Sequence, residues 1–292
     1  MKIADNTIKA TEKYLRDNLK GIYDEREIAS FTDVLFEDLL NLSKTERFLN
    51  GEKRLSESEL LQIIYACKDL KSHIPVQHIT GKAFFMNLEL EVSKNVLIPR
   101  PETEELVSIV VRENKNPLKI IDFCTGSGCI ALALKKVFPS AEVMATDVSG
   151  EALKVAEGNA KKNNLEVKFF QEDVLIASSE FEQVDLIISN PPYVLESDKQ
   201  NMSPNVLNHE PHLALFVPDE DALKFYKAIA ERAAQILKKG GKLYFEIHEE
   251  KGKEVAALLV ENGFSEVRIL KDMYEKDRFV SGVASLRIYK GI

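Results

Sequence analysis

The residues best suited to chemistry stand in "LIISNPPYVLE", positions 186–196, where an apolar run meets an amide side chain, two prolines and a tyrosine. Proline cannot donate to a sheet ladder, so Pro191 and Pro192 stop the strand at Asn190. A carboxamide nitrogen is a poor nucleophile because its lone pair is delocalised into the carbonyl. Two acceptors that hold both of its N–H groups can aim that lone pair. The side-chain oxygen of Asn190 and the main-chain carbonyl of Pro191 are such acceptors; the prolines hold the carbonyl rigidly, and Tyr193 offers an aromatic wall for a planar group. This is orientation plus electrostatic preorganisation, and it calls for no metal and no strong base. The same four residues also read as a rigid turn packed by a tyrosine.

A second constellation is "IIDFCTGSGCIALAL", residues 120–134. A strand ends near Asp122, a loop follows, and a helix opens. Gly126 and Gly128 let backbone approach a ligand and expose amide donors at the helix N-terminus. The next strand ends in "ATDVS", which places Asp147 where a carboxylate can accept from ribose hydroxyls. Glycine turns and strand-end aspartates are also common in any α/β protein. The loop lacks the first glycine of GxGxxG and has an acid at the strand end, which favours a phosphate-free sulfonium nucleoside over a dinucleotide. In "QEDVL", Asp173 is placed to hold the amino edge of an adenine with Val174 on the ring face, or else is a solvated strand-end acid.

Other candidates are more structural. His209 and His212 have a metal-like spacing, but no second pair of ligands accompanies them, so no metal is expected and a glutamate–proline turn at the site's edge is preferred. Arg100 and Glu102 either line the substrate cleft or form an ion pair that pins a connector. Tyr226 reads as core, and the "KKN" at 161 as a solvated helix end.

These residues must be held by a sheet. From about residue 118 apolar strands alternate with helical stretches: "KIIDFC", "AEVMATDV", "VKFFQEDV", "DLIISN", "KLYFEIH", "EVRILKD" and "ASLRIYK". Near-continuous apolar strands imply a sheet covered on both faces, hence a doubly wound, mostly parallel α/β domain whose ligand sits beyond the strands' carboxyl ends. The first 75 or so residues carry helical period only, as in Phe31, Leu35, Leu39 and Leu42, and "SESE" at 56–59 is a capping box. The expected organisation is a helical domain over 1–75, a connector with a β-hairpin over 76–98, and the α/β domain over 99–292. Met86 to Val92 alternates strictly and predicts a half-buried hairpin strand. Pro101 with Glu102, Glu104 and Glu105 suits the first turn of a helix.

With 292 residues, 45% hydrophobic and 29% charged, the chain is that of a globular protein with a sizeable core. A formal net charge of -8 argues against a surface built to track phosphates. Cys67, Cys124 and Cys129 show neither CxxC pairing nor zinc spacing, which fits free thiols in a reducing compartment. The charged N-terminus lacks a signal peptide's apolar core and no apolar run approaches membrane-spanning length, so a cytoplasmic location is expected.

The pieces "PVQHITG", "LIPRPETEELV", "IIDFCTGSGCIALAL", "ATDVS", "LIISNPPYV", "HEPHLAL", "LKKGGKLYFEI" and "KDMYEKDRFV" occur in the content and order of one family. The chain closely resembles the release-factor glutamine N(5)-methyltransferases, within the class I S-adenosylmethionine-dependent methyltransferases; "IPRPETE" with "SNPPY" is the specific signature. The resemblance implies methylation, with S-adenosyl-L-homocysteine as product, of the glutamine side-chain nitrogen in the GGQ motif of peptide chain release factors. It implies that the loop at Cys124, Thr125, Gly126, Ser127 and Gly128, together with Asp147 and Asn190, contacts the cofactor. It further implies that Asn190, Pro191, Pro192 and Tyr193 hold the glutamine amide, and that the helical domain and connector grip the release factor. From the charge and the absence of a long apolar run, no direct nucleic-acid partner and no membrane are expected. Two departures stand out. Cys124 replaces a common glycine, and its β-carbon is expected to exclude an easily reached positive φ; "FEIHEE" replaces the usual "EIG" followed by glutamine. Competing readings are an exocyclic-amine methyltransferase acting on DNA or RNA, a nicotinamide-dependent dehydrogenase, and a cofactor-binding module without catalysis.

Overall fold

The computed structural model describes residues 5–176 and 181–285. The chain folds as two compact units, one built from the chain up to residue 82 together with 203–209, the other from residues 83–202 and from 210 onward.

The first unit is helical: α1 (Ile8–Leu19), α2 (Glu25–Leu40), α3 (Lys44–Leu49), α4 (Glu57–Lys71) and α5 (Val76–Thr80). Capping boxes start three of them, at Asp24, Ser43 and Ser56, the last at the predicted place. Their apolar stripes meet in one cluster around Leu15, Leu35, Phe36 and Ile63. In α2 the buried stripe is Ile28, Leu35, Phe36 and Leu40, with Phe31 and Leu39 at its margin and Leu42 beyond the helix. The predicted face is therefore turned slightly from the observed one.

In the second unit, β1 (Lys82–Phe85) and β2 (Leu88–Glu91) pair as the expected hairpin. Its strand is shorter than predicted, because Met86 and Asn87 take φ of 46° and 59° and form the turn. Two consecutive left-handed residues match the twist of a tight hairpin, so alternation carried through the turn overstates the strand. Next come α6 (Pro101–Glu113), β3 (Lys119–Phe123), α7 (Cys129–Val137), β4 (Glu142–Asp147), α8 (Gly150–Lys162), β5 (Lys168–Gln171), β6 (Val184–Ser189) and β7 (Val194–Leu195). After α9 (Pro204–His209), which clusters with the first unit, come β8 (Phe216–Val217), α10 (Lys224–Ile236), β9 (Leu237–Glu246), α11 (Gly252–Glu261), β10 (Phe264–Lys271) and β11 (Asp277–Ala284).

Seven strands form one sheet in the order β10-β11-β9-β6-β3-β4-β5. Pairing is parallel from β9 through β5, and β11 runs antiparallel to both neighbours. Among the described residues the last strand lies at 277–284 and ends at Ala284, where the predicted "ASLRIYK" begins; the rest of that segment, from Leu286 on, lies outside the described residues. Alternate side chains feed two buried layers. Ile120, Leu186, Ile188 and Tyr244 face one, and Ile121, Phe123, Ile187, Leu243 and Phe245 face the other. Both faces are covered, as the apolar strands required. The strand order reverses at β3 and β6, which creates a crevice at their carboxyl ends.

Candidate active site

Register keeps the strand ends level. Phe123 lies beside Thr146 on one side and Ser189 on the other, and Ser189 lies beside Phe245. One residue further along each strand come Cys124, Asp147, Asn190 and Glu246. The loops beyond these ends surround a cleft of about 980 Å3, open solvent at its mouth included. Arg100, Cys124, Thr125, Gly126, Ser127, Asp147, Asp173, Val174, Asn190 and Pro192 line it. Glu102, Gly128, Pro191 and Tyr193 do not.

The glycine loop is tied to β4. The Thr125 N–H donates to the Thr146 carbonyl at 2.9 Å, and the Gly126 N–H to Asp147 Oδ2 at 2.9 Å. The other carboxylate oxygen accepts from the Ser149 N–H at 2.9 Å. Burial raises the Asp147 pKa against these backbone donors. Asp147 thus braces the loop while remaining on the cleft wall. Below the loop, Asp122 accepts from the Thr125 hydroxyl at 2.5 Å, and burial lifts its carboxyl to about 7. Cys124 takes φ of 61° despite its β-carbon. The expectation that a side chain there avoids positive φ is corrected: the loop keeps its left-handed bend at a cost of about 1–2 kcal/mol. Gly126 and Gly128 are left-handed too, and Gly128 sits against Ala156 of α8.

The lining suits a nucleoside without phosphate. Val148, Val174, Leu213 and Phe225 supply apolar walls, and Asp147 and Asp173 supply acceptors. Among the described residues lining the cleft, Arg100 is the one basic side chain, and it is bound to Glu210 at 2.5 Å. Glu210, 4% exposed, also accepts from the Ile98 N–H at 3.0 Å. Arg100 therefore forms a pinning ion pair and lines the cleft as well. Pro211, next to Glu210, is on the cleft wall. Asp173 Oδ1 accepts from the Leu175 N–H at 3.0 Å, which shapes its turn. His209 meets the Ser72 carbonyl at 3.0 Å, and His212 packs edge-on against Phe216. No group of three His, Cys, Asp or Glu among the described residues is arranged to hold a metal.

Sequence reasoning missed three buried side chains that brace the cleft. Asn190 Nδ2 donates to Thr103 Oγ1 at 3.2 Å, and the Thr103 hydroxyl donates to Glu246 Oε2 at 2.7 Å. Tyr193 donates to Glu246 Oε1 at 3.1 Å. Glu246 is 1% exposed, so burial raises its pKa, while the two hydroxyls and Arg278 favour the carboxylate. Burial and the charge of Glu246 also raise the pKa of Tyr193, which stays a donor. Tyr226, buried as expected, donates to the Glu246 carbonyl at 3.2 Å. The third is Asn159, fully buried in α8. It exchanges hydrogen bonds with the Glu91 backbone at 2.6 and 3.0 Å and donates to the Ser127 carbonyl at 3.0 Å, joining the connector to the glycine loop. An acid closing the apolar run "KLYFE" was the available signal for Glu246; nothing local marks Thr103 or Asn159. Within "HEE", His248 meets Tyr193 edge-on, and Glu249 pairs with Lys276 and Arg278.

Residues 102–212 match the methyltransferase small domain family, and residues 9–81 match the PrmC N-terminal domain. A crystal structure of a methyltransferase from Pyrococcus furiosus superposes with a TM-score of 0.54 at 18% identity, covering 79% of this chain and 100% of that one. That likeness establishes the fold. The release factor glutamine methyltransferase of Flavobacterium psychrophilum is 42% identical over 268 residues, 90% of this chain and 94% of that protein. The corresponding protein of Bacteroides thetaiotaomicron is 41% identical over 92% of this chain and 97% of its own length. That of Streptococcus pneumoniae is 39% identical over 96% and 98%. With its strand-end acids, its glycine loop and its NPPY turn on one cleft, and with relatives this similar over nearly full length, the chain belongs to the release factor glutamine methyltransferase family.

Proposed function

We infer that the protein transfers a methyl group from S-adenosylmethionine to the side-chain amide nitrogen of the glutamine in the GGQ motif of peptide chain release factors, and so modulates translation termination. The observation that carries this reading is the placement of Asn190 on the cleft wall with its Nδ2 engaged by Thr103. Its Oδ1 is thereby the end left to accept an N–H from a substrate amide.

S-adenosylmethionine, when bound, supplies an electrophilic methyl on a sulfonium centre. Cys124 to Ser127, Asp147, Asp173 and Val174 are the residues we assign to hold it, with Gly128 closing the loop behind them against Ala156. Asp147 is the ribose acceptor, and the Val174 side chain covers the adenine face. Asn190 Oδ1 and the Pro191 carbonyl receive the two amide hydrogens of the substrate glutamine. Fixing both turns the nitrogen lone pair toward the methyl donor and lowers the entropy lost on reaching a reactive geometry. The same oxygens stabilise the positive charge that develops on nitrogen, before that nitrogen loses a proton. Pro192 stiffens the turn, and Tyr193 walls the planar amide. Arg100 and Glu102, at the start of α6, border the substrate's approach. The helical unit and the hairpin connector are assigned to docking the release factor.

The family membership favours the release factor over a nucleic-acid base, and the net charge of -8 agrees with it. Among the described residues no helix is long and apolar enough to cross a membrane; a cytoplasmic location follows from the proposed substrate. Incubation of a purified release factor with this protein and S-adenosylmethionine, followed by peptide mass spectrometry, should reveal one added methyl on the GGQ glutamine. Label appearing in RNA or DNA and not in the release factor would transfer the assignment to the exocyclic-amine reaction.

A further inference from the structure

Asn190 has two nearly isosteric ends, and only one of them suits an amide substrate. Its oxygen accepts an N–H; its NH2 group would instead present donors and repel the hydrogens of a carboxamide. Something in the fold must decide which end faces the cleft. The buried chain Asn190–Thr103–Glu246 contains that decision. A carboxylate only accepts, so Thr103 must spend its single hydroxyl hydrogen on Glu246, at 2.7 Å. The Thr103 oxygen is then left as an acceptor, and it can face only the NH2 end of Asn190, at 3.2 Å. Tyr193 occupies the second oxygen of Glu246, at 3.1 Å. One carboxylate therefore orders both polar side chains of the NPPY turn, and its 1% exposure keeps water from substituting for either partner.

We propose that Glu246, acting through Thr103, is a positioning residue that fixes the polarity of the Asn190 amide, and thereby makes the site select a substrate that donates N–H over one that offers a carboxylate. The inference rests on the reading of Asn190 as the acceptor for the substrate amide. Glu246 touches neither substrate nor cofactor; it acts two hydrogen bonds away. If residue 246 can donate, Thr103 is free to turn its hydrogen toward Asn190, and the amide inverts.

Glu246→Gln makes that inversion possible while keeping volume and hydrogen-bonding capacity. Thr103→Val removes the link, and Thr103→Ser preserves it. Single-turnover transfer from tritiated S-adenosylmethionine to a purified release factor is measured for all four proteins. A competitor is included, the same release factor with glutamate in place of the GGQ glutamine. Glu246→Gln should lower the saturated rate by about 10–100-fold, with S-adenosylhomocysteine affinity by calorimetry unchanged within about threefold. The glutamate competitor, a poor inhibitor of the wild-type protein, should inhibit Glu246→Gln about tenfold better. Thr103→Ser should stay within about threefold of wild type, and Thr103→Val should match Glu246→Gln. Wild-type rates and unaltered glutamine-over-glutamate discrimination in Glu246→Gln would overturn the proposal. A variant that loses cofactor binding in parallel with rate would also overturn it, since that is the pattern of a merely structural residue. Failure of the wild-type protein to label the release factor would instead bring down the functional reading on which the proposal stands.

Discussion

Gly128→Ala isolates how tightly the glycine loop is built into the sheet. At φ of 81°, a β-carbon on residue 128 costs about 1–2 kcal/mol in backbone strain. It also meets Ala156 Cβ at 3.1 Å, Ala156 Cα at 3.4 Å and Leu132 Cδ1 at 3.4 Å. Ala156 and Leu132 are fully buried, so neither has room to retreat, and overpacking adds roughly 1–3 kcal/mol. Reduced entropy of the unfolded chain returns about 0.4–1 kcal/mol. The net loss is about 1–4.6 kcal/mol, or roughly 2–18 °C in Tm for a domain of this size. Gly126→Ala is the control. Its φ of 54° carries similar strain, but a β-carbon there meets nothing within 4 Å. It should lose no more than about 1.6 kcal/mol. Thermal unfolding followed by circular dichroism gives both values. Adding Ala156→Gly to Gly128→Ala should cost less than the sum of the two single changes, by about 1–2 kcal/mol, because the clash is shared. Equal melting of the two glycine variants, or strict additivity in the double variant, would refute close packing as the reason for glycine at 128.

Asn190→Ala should lower the single-turnover rate by about 100-fold or more while S-adenosylmethionine affinity moves only a few fold; an unchanged rate would remove Asn190 from the reaction. Asp122 titrates at about 7 when folded and near 3.8 when unfolded, so between those values the folded protein holds the extra proton. Stability from this group is full below about pH 4 and is lost as pH rises toward 7, by roughly 4 kcal/mol at about 1.4 kcal/mol per pH unit. Asp122→Asn should remove that part of the slope in urea titrations across the window. Asn159→Ala leaves the Glu91 N–H and the Glu91 and Ser127 carbonyls without a partner, and should cost about 2–4 kcal/mol. A loss below about 0.5 kcal/mol in urea unfolding would mean that water replaces the side chain there.

The legible part of the molecule is the part with local causes. Near-continuous apolar runs locate β3 to β6, Pro101 with the glutamates after it locates the start of α6, and the serine–glutamate pair at 56 and 59 locates the start of α4. Level strand ends follow from the parallel order, which puts Asp147 and Asn190 on one cleft. What is not legible depends on pairs far apart in the chain. Thr103 and Glu246 are separated by 143 positions, and each reads locally as an ordinary helix or strand residue. Cys124 misleads because the steric rule is a cost of about 1–2 kcal/mol and not a prohibition; the backbone bonds around the loop exceed it. Met86 misleads because a turn of two left-handed residues can preserve alternation across it.

The placement of Glu246 also sets when the enzyme can come into being. A nascent chain that has emerged only as far as residue 240 already contains the glycine loop, both strand-end aspartates and the NPPY turn. It lacks most of β9, whose last residue is the carboxylate, and β11, which pairs Phe279 with Glu246 from the far side. The binding segments of the site are therefore translated before the group that orders its reactive half, and a chain stopped in this interval lacks that group together with Leu243, Tyr244 and Phe245, which fill the core on both faces of the sheet.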